Sequence, residues 1–182
     1  MRRHARANRE RILEAAEAVF GARGALGSTE EVARRANVGI ATVFRHFPTK
    51  EALIEAALVR HFARLDHQAS QLADELDPAE ALRRMLTAMV ETGATKLTLA
   101  SQVTDAGAVP EPVRTAARAL RATMGTVLER AQAAGAVDDS VTVDALYVLI
   151  GGLTQASAAL PREPAALRGA VEIVCRGLRP GR

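Results

Sequence analysis

The sequence predicts an all-α protein of 182 residues. Apolar residues recur three and four positions apart and never alternate over a strand-length run, which is the helical period rather than the sheet period. Helix-starting Asn, Ser and Thr residues and helix-ending Gly and Pro residues punctuate these segments. Composition agrees, with 48% of residues apolar and 25% charged, which excludes disordered and collagen-like chains. A chain of this length buries roughly 70% of its unfolded surface, enough for a sizeable core.

The first helix is expected from about Asn8, as N-cap, to about Ala22, with Ile12, Ala16, Val19 and Phe20 on one face. Gly24 to Gly27 end it. Ser28 caps the second helix, and Glu31 three residues later completes a capping box whose acids also suit the positive helix end. That helix is short and ends near Ala36. Asn37 tolerates the left-handed conformation of a tight turn, Val38 plugs it, and Gly39 starts another short helix from Ile40 to about Phe47. Two short helices joined in this way make a helix-turn-helix. Pro48 stops the second of them, and Thr49 caps a longer helix that runs past residue 65 as a connector. Further breaks at Asp77-Pro78, Val109 to Pro112, Gly135 to Ser140 and Leu160-Pro161 leave helices of roughly 79–105, 112–134, 141–160 and 164–178.

Charge is unevenly distributed. Residues 1–60 hold 11 Arg and Lys against 7 Asp and Glu, whereas residues 61–182 hold 13 against 14. The net +3 is therefore local to the N-terminal third. Arg2, Arg3, Arg6, Arg9 and Arg11 face only Glu10 in the first eleven residues, which reads either as an arm that meets a polyanion or as a solvated tail. The single cysteine, Cys175, excludes an intramolecular disulfide and any Cys-cluster metal site, and reads as an apolar residue in a reducing compartment. The stretch from Ser140 to Pro161 carries Thr142, Asp144, Thr154, Gln155 and Ser157, too many polar groups for a membrane span. No membrane partner and a cytoplasmic location are expected, since the basic N-terminus leads into an amphipathic helix rather than an apolar signal segment. His61 and His67 miss the i, i+4 spacing of a helical metal pair, and no phosphate-binding, dinucleotide, nucleophile-elbow or metalloprotease motif is present. Neither metal, cofactor nor catalysis is expected.

In a helix-turn-helix the second helix lies in the DNA major groove, so residues near its start must be small or polar enough to approach base edges. That surface here offers Gly39, Ile40, Ala41, Thr42, Phe44, Arg45 and His46. Thr42 can bond a base or phosphate or set its methyl against thymine, and Arg45 can reach guanine or phosphate. Lys50 and Thr29, each at a helix start, are candidate phosphate contacts, as are Arg3 and Arg6 in the basic arm. His46 has a second reading as a packed or capping residue. Val32, Ala36, Val38, Val43 and Phe47 are left for the mini-core.

These residues bring the stretch from Arg11 to Leu58 close to a known pattern. RILEAAEAVF followed by STEEVARRANVGIATVFRHFPTKEALIEAAL resembles the DNA-binding domain of the TetR/AcrR family of transcriptional regulators. The resemblance implies DNA contacts from Thr29, Gly39, Ala41, Thr42, Phe44, His46 and Lys50, mostly to phosphate. Three positions depart from the family pattern: Asn37 stands where Gly is usual, Gly39 replaces a Ser or Thr cap, and Phe44 replaces a Tyr. The last two each remove a hydroxyl. The resemblance also implies two domains, a DNA-binding domain over residues 1–60 and a helical ligand-binding and dimerisation domain over 61–182.

In the C-terminal part, Met85, Met89, Thr92, Leu99, Gln102, Thr123, Met124 and Val127 are candidate contacts for a small-molecule effector, or ordinary core. Leu146, Leu149, Ile150, Leu153 and Ala156, with Leu167, Val171 and Val174, form stripes suited to a homodimer interface or to an intramolecular core. The leading functional expectation is a homodimeric repressor that binds a palindromic double-stranded operator and is released by a small-molecule effector. A ligand-independent regulator or activator stands as the alternative.

Overall fold

The computed structural model describes residues 2–104, 108–159 and 164–181. Among them are eight α-helices and no strand: α1 (Arg2–Arg23), α2 (Thr29–Arg35), α3 (Ile40–His46), α4 (Lys50–Glu75), α5 (Pro78–Thr104), α6 (Glu111–Ala133), α7 (Val143–Ala159) and α8 (Pro164–Gly177), with a 3₁₀ turn at Gly24–Leu26. The all-α expectation holds, and the expected break at Leu160-Pro161 lies outside the described residues.

The main revision is at the N-terminus. α1 begins at Arg2 rather than Asn8. Arg and Ala favour the helix and neither Gly nor Pro interrupts residues 2–10, so the helix continues through the basic arm. Asn8 sits inside it, and its Oδ1 accepts a 2.6 Å bond from Arg11.

The other helix ends follow their capping chemistry. Ser28 Oγ accepts from the Glu31 amide at 3.2 Å, while the Glu31 carboxylate turns to Arg23 Nη1 at 2.7 Å rather than back to the cap. Thr49 Oγ1 accepts from Ala52 N at 3.0 Å, and Asp77 Oδ1 accepts from the amides of Ala79 and Glu80 at 3.1 Å each. Each removes an orphan donor from a helix start.

The chain divides into two compact units, residues 1–62 with 95–116 and residues 63–94 with 117–182. In the first, Ile12, Leu13, Ala16 and Phe20 of α1 are buried along with Val32 of α2, Val43 of α3 and Leu53, Ala57 and Leu58 of α4. Arg60 of α4 ties this core to α1, donating to Glu17 at 2.6 Å and Glu10 at 3.2 Å. Burial opposes the charged form of Glu17, but hydrogen bonds from His61 and Arg60 outweigh it and hold the carboxyl below the usual carboxylate range.

In the second unit, Leu82, Met85, Leu120, Met124 and Leu146 are fully buried. Thr154 of α7 packs on Gly93 of α5, where no side chain keeps the two backbones apart. Thr123 of α6 donates to Asp66 of α4 at 2.5 Å, and Arg83 bridges Glu80 and Glu172, at 2.5 and 2.9 Å. Hydrogen bonds from Arg83 and Arg84 bring the Glu80 carboxyl down to about 2. Cys175 is half-buried, and burial pushes its thiol above the usual range, which suits its reading as an apolar residue.

Among the described residues, no helix is long and apolar enough to cross a membrane, and no group of His, Cys, Asp and Glu is disposed to hold a metal ion.

Candidate nucleic-acid interface

The reading unit is assembled by the turn between α2 and α3. Asn37 adopts φ +52°, the left-handed conformation expected of it, and Val38 N donates to Ala33 O at 3.0 Å to close α2. Val38 itself is half-buried. Gly39 caps α3 in an extended conformation with φ −69° and no side-chain bond, so the first turn is held by the Gly39 carbonyl, which accepts from Thr42 N at 2.8 Å.

Within α3 only Val43 is buried, and Phe47 behind it is buried at the C-cap. The helical period therefore turns Ile40, Ala41, Phe44 and Arg45 outward as one continuous face. Ile40 is 37% and Phe44 44% exposed, large apolar side chains left in water by their own domain. Thr42 and His46 flank that face and are half-buried, and His46 stacks at a tilt on Phe47 with ring centroids 6.3 Å apart. Gly39 is exposed beside them.

The two expected phosphate contacts at helix starts are more engaged than their sequence positions suggest. Lys50 Nζ donates to the carbonyls of Gly27 at 2.7 Å and Ala25 at 3.0 Å and lies 5.3 Å from the centre of the Phe20 ring. Two of its three protons therefore serve the end of the α1–α2 connection. Thr29 is only 8% exposed. Its hydroxyl donates a long bond of 3.5 Å to Glu30. Arg6 and Arg45 are exposed and have no carboxylate partner among the described residues, whereas the side chain of Arg3 lies outside the described set.

Arg9 enters the sequence reading only as one of five arginines of the basic arm, yet its guanidinium sits 5.2 Å from the centre of the Phe47 ring at the end of α3. The signal was present as helical spacing, since Arg9 precedes the buried Leu13, Ala16 and Phe20 by four, seven and eleven residues.

The expected effector contacts divide between the units. Leu99 and Gln102 fall in the first, and Met85, Met89, Thr92, Thr123, Met124 and Val127 in the second. The polar donors among them serve their own helices or neighbours: Thr92 Oγ1 bonds Ala88 O at 2.8 Å, Gln102 Nε2 bonds Thr98 O at 2.9 Å, and Thr123 bonds Asp66. Buried polar atoms without a partner among the described residues are found instead at Gln102 Oε1, Tyr147 Oη and Thr154 Oγ1. Tyr147 and Thr154, seven residues apart on α7, escaped sequence reasoning because an isolated Tyr or Thr in an apolar helix reads as packing.

The expected interface stripes also divide. Of the residues expected at a subunit boundary or in an intramolecular core, Leu146, Ile150 and Val171 are buried within their own chain. They line a narrow apolar crevice, partly open to solvent, with Leu149, Leu153 and Val174 of the same set and Leu86 and Val90 of α5. Leu149 and Ala156 face outward, and Leu167 is half-buried. The most exposed large apolar residues of α7 and α8 are Val148 at 74% and Ile173 at 63%. Both stripes were broad enough to serve two partners, and intrachain packing took the more apolar side.

The chain has relatives in both sequence and fold. Residues 12–57 match the family described as bacterial regulatory proteins of the tetR family, and residues 77–180 match the C-terminal domain of SbtR-like transcriptional regulators. A probable HTH-type transcriptional regulator, ArpR, of Pseudomonas putida is 36% identical over 85 residues, 45% of this chain and only 40% of that protein's length. Two crystal structures match over nearly all of both chains. The TetR transcriptional regulator SCO0520 of Streptomyces coelicolor is 31% identical, covering 96% of this chain and 99% of its own, with a TM-score of 0.83. The TetR transcription regulatory protein of Mycobacterium vanbaalenii is 33% identical, covering 98% and 99%, with a TM-score of 0.82. An all-α chain with an outward-facing second helix in its helix-turn-helix, matched in both its N-terminal and its C-terminal parts, belongs to the TetR family of DNA-binding transcriptional regulators.

Proposed function

We propose that this regulator is a homodimeric repressor that leaves its operator when a small-molecule effector binds, with DNA reading in residues 1–60 and effector binding and dimerisation in residues 61–182. The observation that carries the DNA-reading part is the outward face of α3. Ile40 and Phe44 remain exposed there although they are apolar, and thymine methyl groups in the major groove are partners of matching chemistry. Arg45 adds a donor fork for guanine or phosphate, Thr42, Ala41 and Gly39 allow close approach, and His46, Lys50, Thr29, Arg3 and Arg6 fix the register on the backbone. One such unit binds weakly, and two-fold pairing matches two half-sites about one helical turn apart.

Support for dimerisation comes from the faces of α7 and α8 that this chain does not cover itself. Val148, Leu149, Gly152 and Ala156 on α7 and Gly169 and Ile173 on α8 combine apolar surface with small residues that let helices approach closely. The exposed residues, rather than Leu146, Ile150 and Val171, form the interface in this reading.

Effector binding is supported by the buried, partnerless oxygens of Tyr147 and Thr154, since such groups are normally satisfied in native proteins. α4 is one continuous helix whose residues enter both compact units, so an effector that favours one placement of α4 alters the separation of the reading helices.

The test is a gel shift on DNA from immediately upstream of the protein's own gene, at two salt concentrations. Binding that resists non-specific competitor supports the reading, and binding lost equally to any duplex as salt rises refutes it. Thermal shifts against a metabolite set then test the effector, because a ligand selective for the folded state raises Tm by mass action.

A further inference from the structure

The five N-terminal arginines look equivalent in the sequence, but the helix that carries them makes them unequal. α1 is helical from Arg2, so its residues fall on defined stripes. Arg6 and Arg9 continue, at spacings of three and four, the stripe on which Leu13, Ala16 and Phe20 are buried. The inward face of α1 thus changes from apolar to basic where α1 extends beyond the buried core, and Arg6 is exposed there.

Arg9 is not loose. Its guanidinium lies 5.2 Å from the centre of the Phe47 ring, and Phe47 is the residue that ends α3. A cation over an aromatic face is attracted to it without using any of its N–H donors, which stay available to a second partner. Among the described residues neither Arg6 nor Arg9 has a carboxylate partner. Arg11 contrasts with both: it stands about 200° around the helix from Arg9, away from α3, and donates to Asn8.

We propose that Arg9, seated on Phe47, and Arg6 one turn before it form a phosphate-gripping edge beside α3, and that Arg11 takes no part in it. The partner is the sugar-phosphate backbone of duplex DNA next to the segment that α3 reads. The inference rests on the DNA-reading role proposed above and adds to it a residue, Arg9, and a register that separates the arm's charges.

The phosphate contribution can be measured without knowing the operator, because it is independent of sequence. The full-length protein is titrated by fluorescence anisotropy onto a labelled mixed-sequence duplex of about 30 base pairs at salt concentrations from about 50 to about 200 mM. Arg6→Ala and Arg9→Ala are each expected to flatten the slope of log affinity against log salt by about 0.9 per protomer. Across a fourfold rise in salt each variant then loses about 3.5-fold less affinity than the parent protein for each protomer on the duplex, or about 12-fold less for a bound dimer. Arg11→Ala is expected to keep the parent slope. Arg9→Lys, which retains the charge, is expected to restore the slope, and that separates a phosphate contact from a packing defect. Equal flattening by Arg11→Ala and Arg9→Ala would overturn the proposal, because the arm would then act as diffuse charge, and so would an unchanged slope in Arg9→Ala. If the parent protein fails to bind the duplex at the lowest salt, the DNA-reading function falls with it.

Discussion

Replacing Gly93 with Ala should destabilise the protein, although Ala is the better helix former. A Cβ built on Gly93 would lie 2.5 Å from Thr154 Cγ2 and 3.0 Å from Thr154 Cβ, with Oγ1 closer still. Carbon atoms at rest are about 3.5 Å apart or more. Rotation about the Thr154 side-chain bond only exchanges one crowded branch for the other, and the Cβ is fixed by the α7 backbone. α5 and α7 must therefore separate locally, an overpacking cost of about 1–3 kcal/mol. Removing a helix-interior glycine returns about 1 kcal/mol. The net expectation is a loss of about 1 kcal/mol, visible as a drop of about 0.5 M in the urea midpoint with the slope unchanged.

Gly21→Ala is the matched control. It too meets a threonine methyl at 2.5 Å, but the Cβ and Oγ1 of that threonine, Thr95, stand off at 3.3 and 3.4 Å. Rotation of the Thr95 side chain relieves this clash, so Gly21→Ala should be near neutral. Combining Gly93→Ala with Thr154→Ala should recover part of the loss, since both offending branches are gone. Urea unfolding followed by far-UV circular dichroism reads all three variants. If Gly93→Ala proves as stable as Gly21→Ala, the close approach of α5 and α7 is not a rigid contact and the reasoning fails.

Three further outcomes follow from the same contacts. Gly39→Ser should raise stability by a few tenths of a kcal/mol, because a Cβ there meets nothing within 4 Å and the extended N-cap conformation suits a serine oxygen; a lower melting temperature would contradict this. Lys50→Ala should lower the unfolding free energy by about 1 kcal/mol as the Ala25 and Gly27 carbonyls lose their donor, and should also flatten the salt dependence of DNA binding. A variant as stable as the parent would show that these bonds contribute nothing net. Glu17→Gln should lose stability at neutral pH. The Glu17 carboxyl is depressed in the folded state, so its contribution is complete above the unfolded carboxylate value near 4.3 and disappears as pH falls through the folded value. Urea titrations of the two proteins should therefore converge in acid, and a gap that persisted there would assign the loss to packing instead.

Much of this molecule is determined by its sequence acting locally. Capping at Ser28 and Thr49 depends on residues three positions away, and the left-handed turn at Asn37 depends on the residue itself, so each was readable in advance. The outward face of α3 was readable for the same reason, because in a seven-residue helix with Val43 inside, periodicity alone selects what points out. Tertiary structure decided what depends on distant partners. Leu146, Ile150 and Val171 suited a second subunit or their own chain equally well in sequence, and folding set them beside Leu86 and Val90 of α5. Glu31 looked like half of a reciprocal cap until Arg23, eight residues earlier, offered a charged partner. Lys50 looked like a free cation at a helix start, and only folding set two carbonyls from residues 25 and 27 beside it. The arginine-rich arm followed the same rule. Its charge was plain in the sequence, but only the extension of α1 to Arg2 and the ring of Phe47 sort one arginine from the next, since direction on a helix means nothing until the helix has something to face.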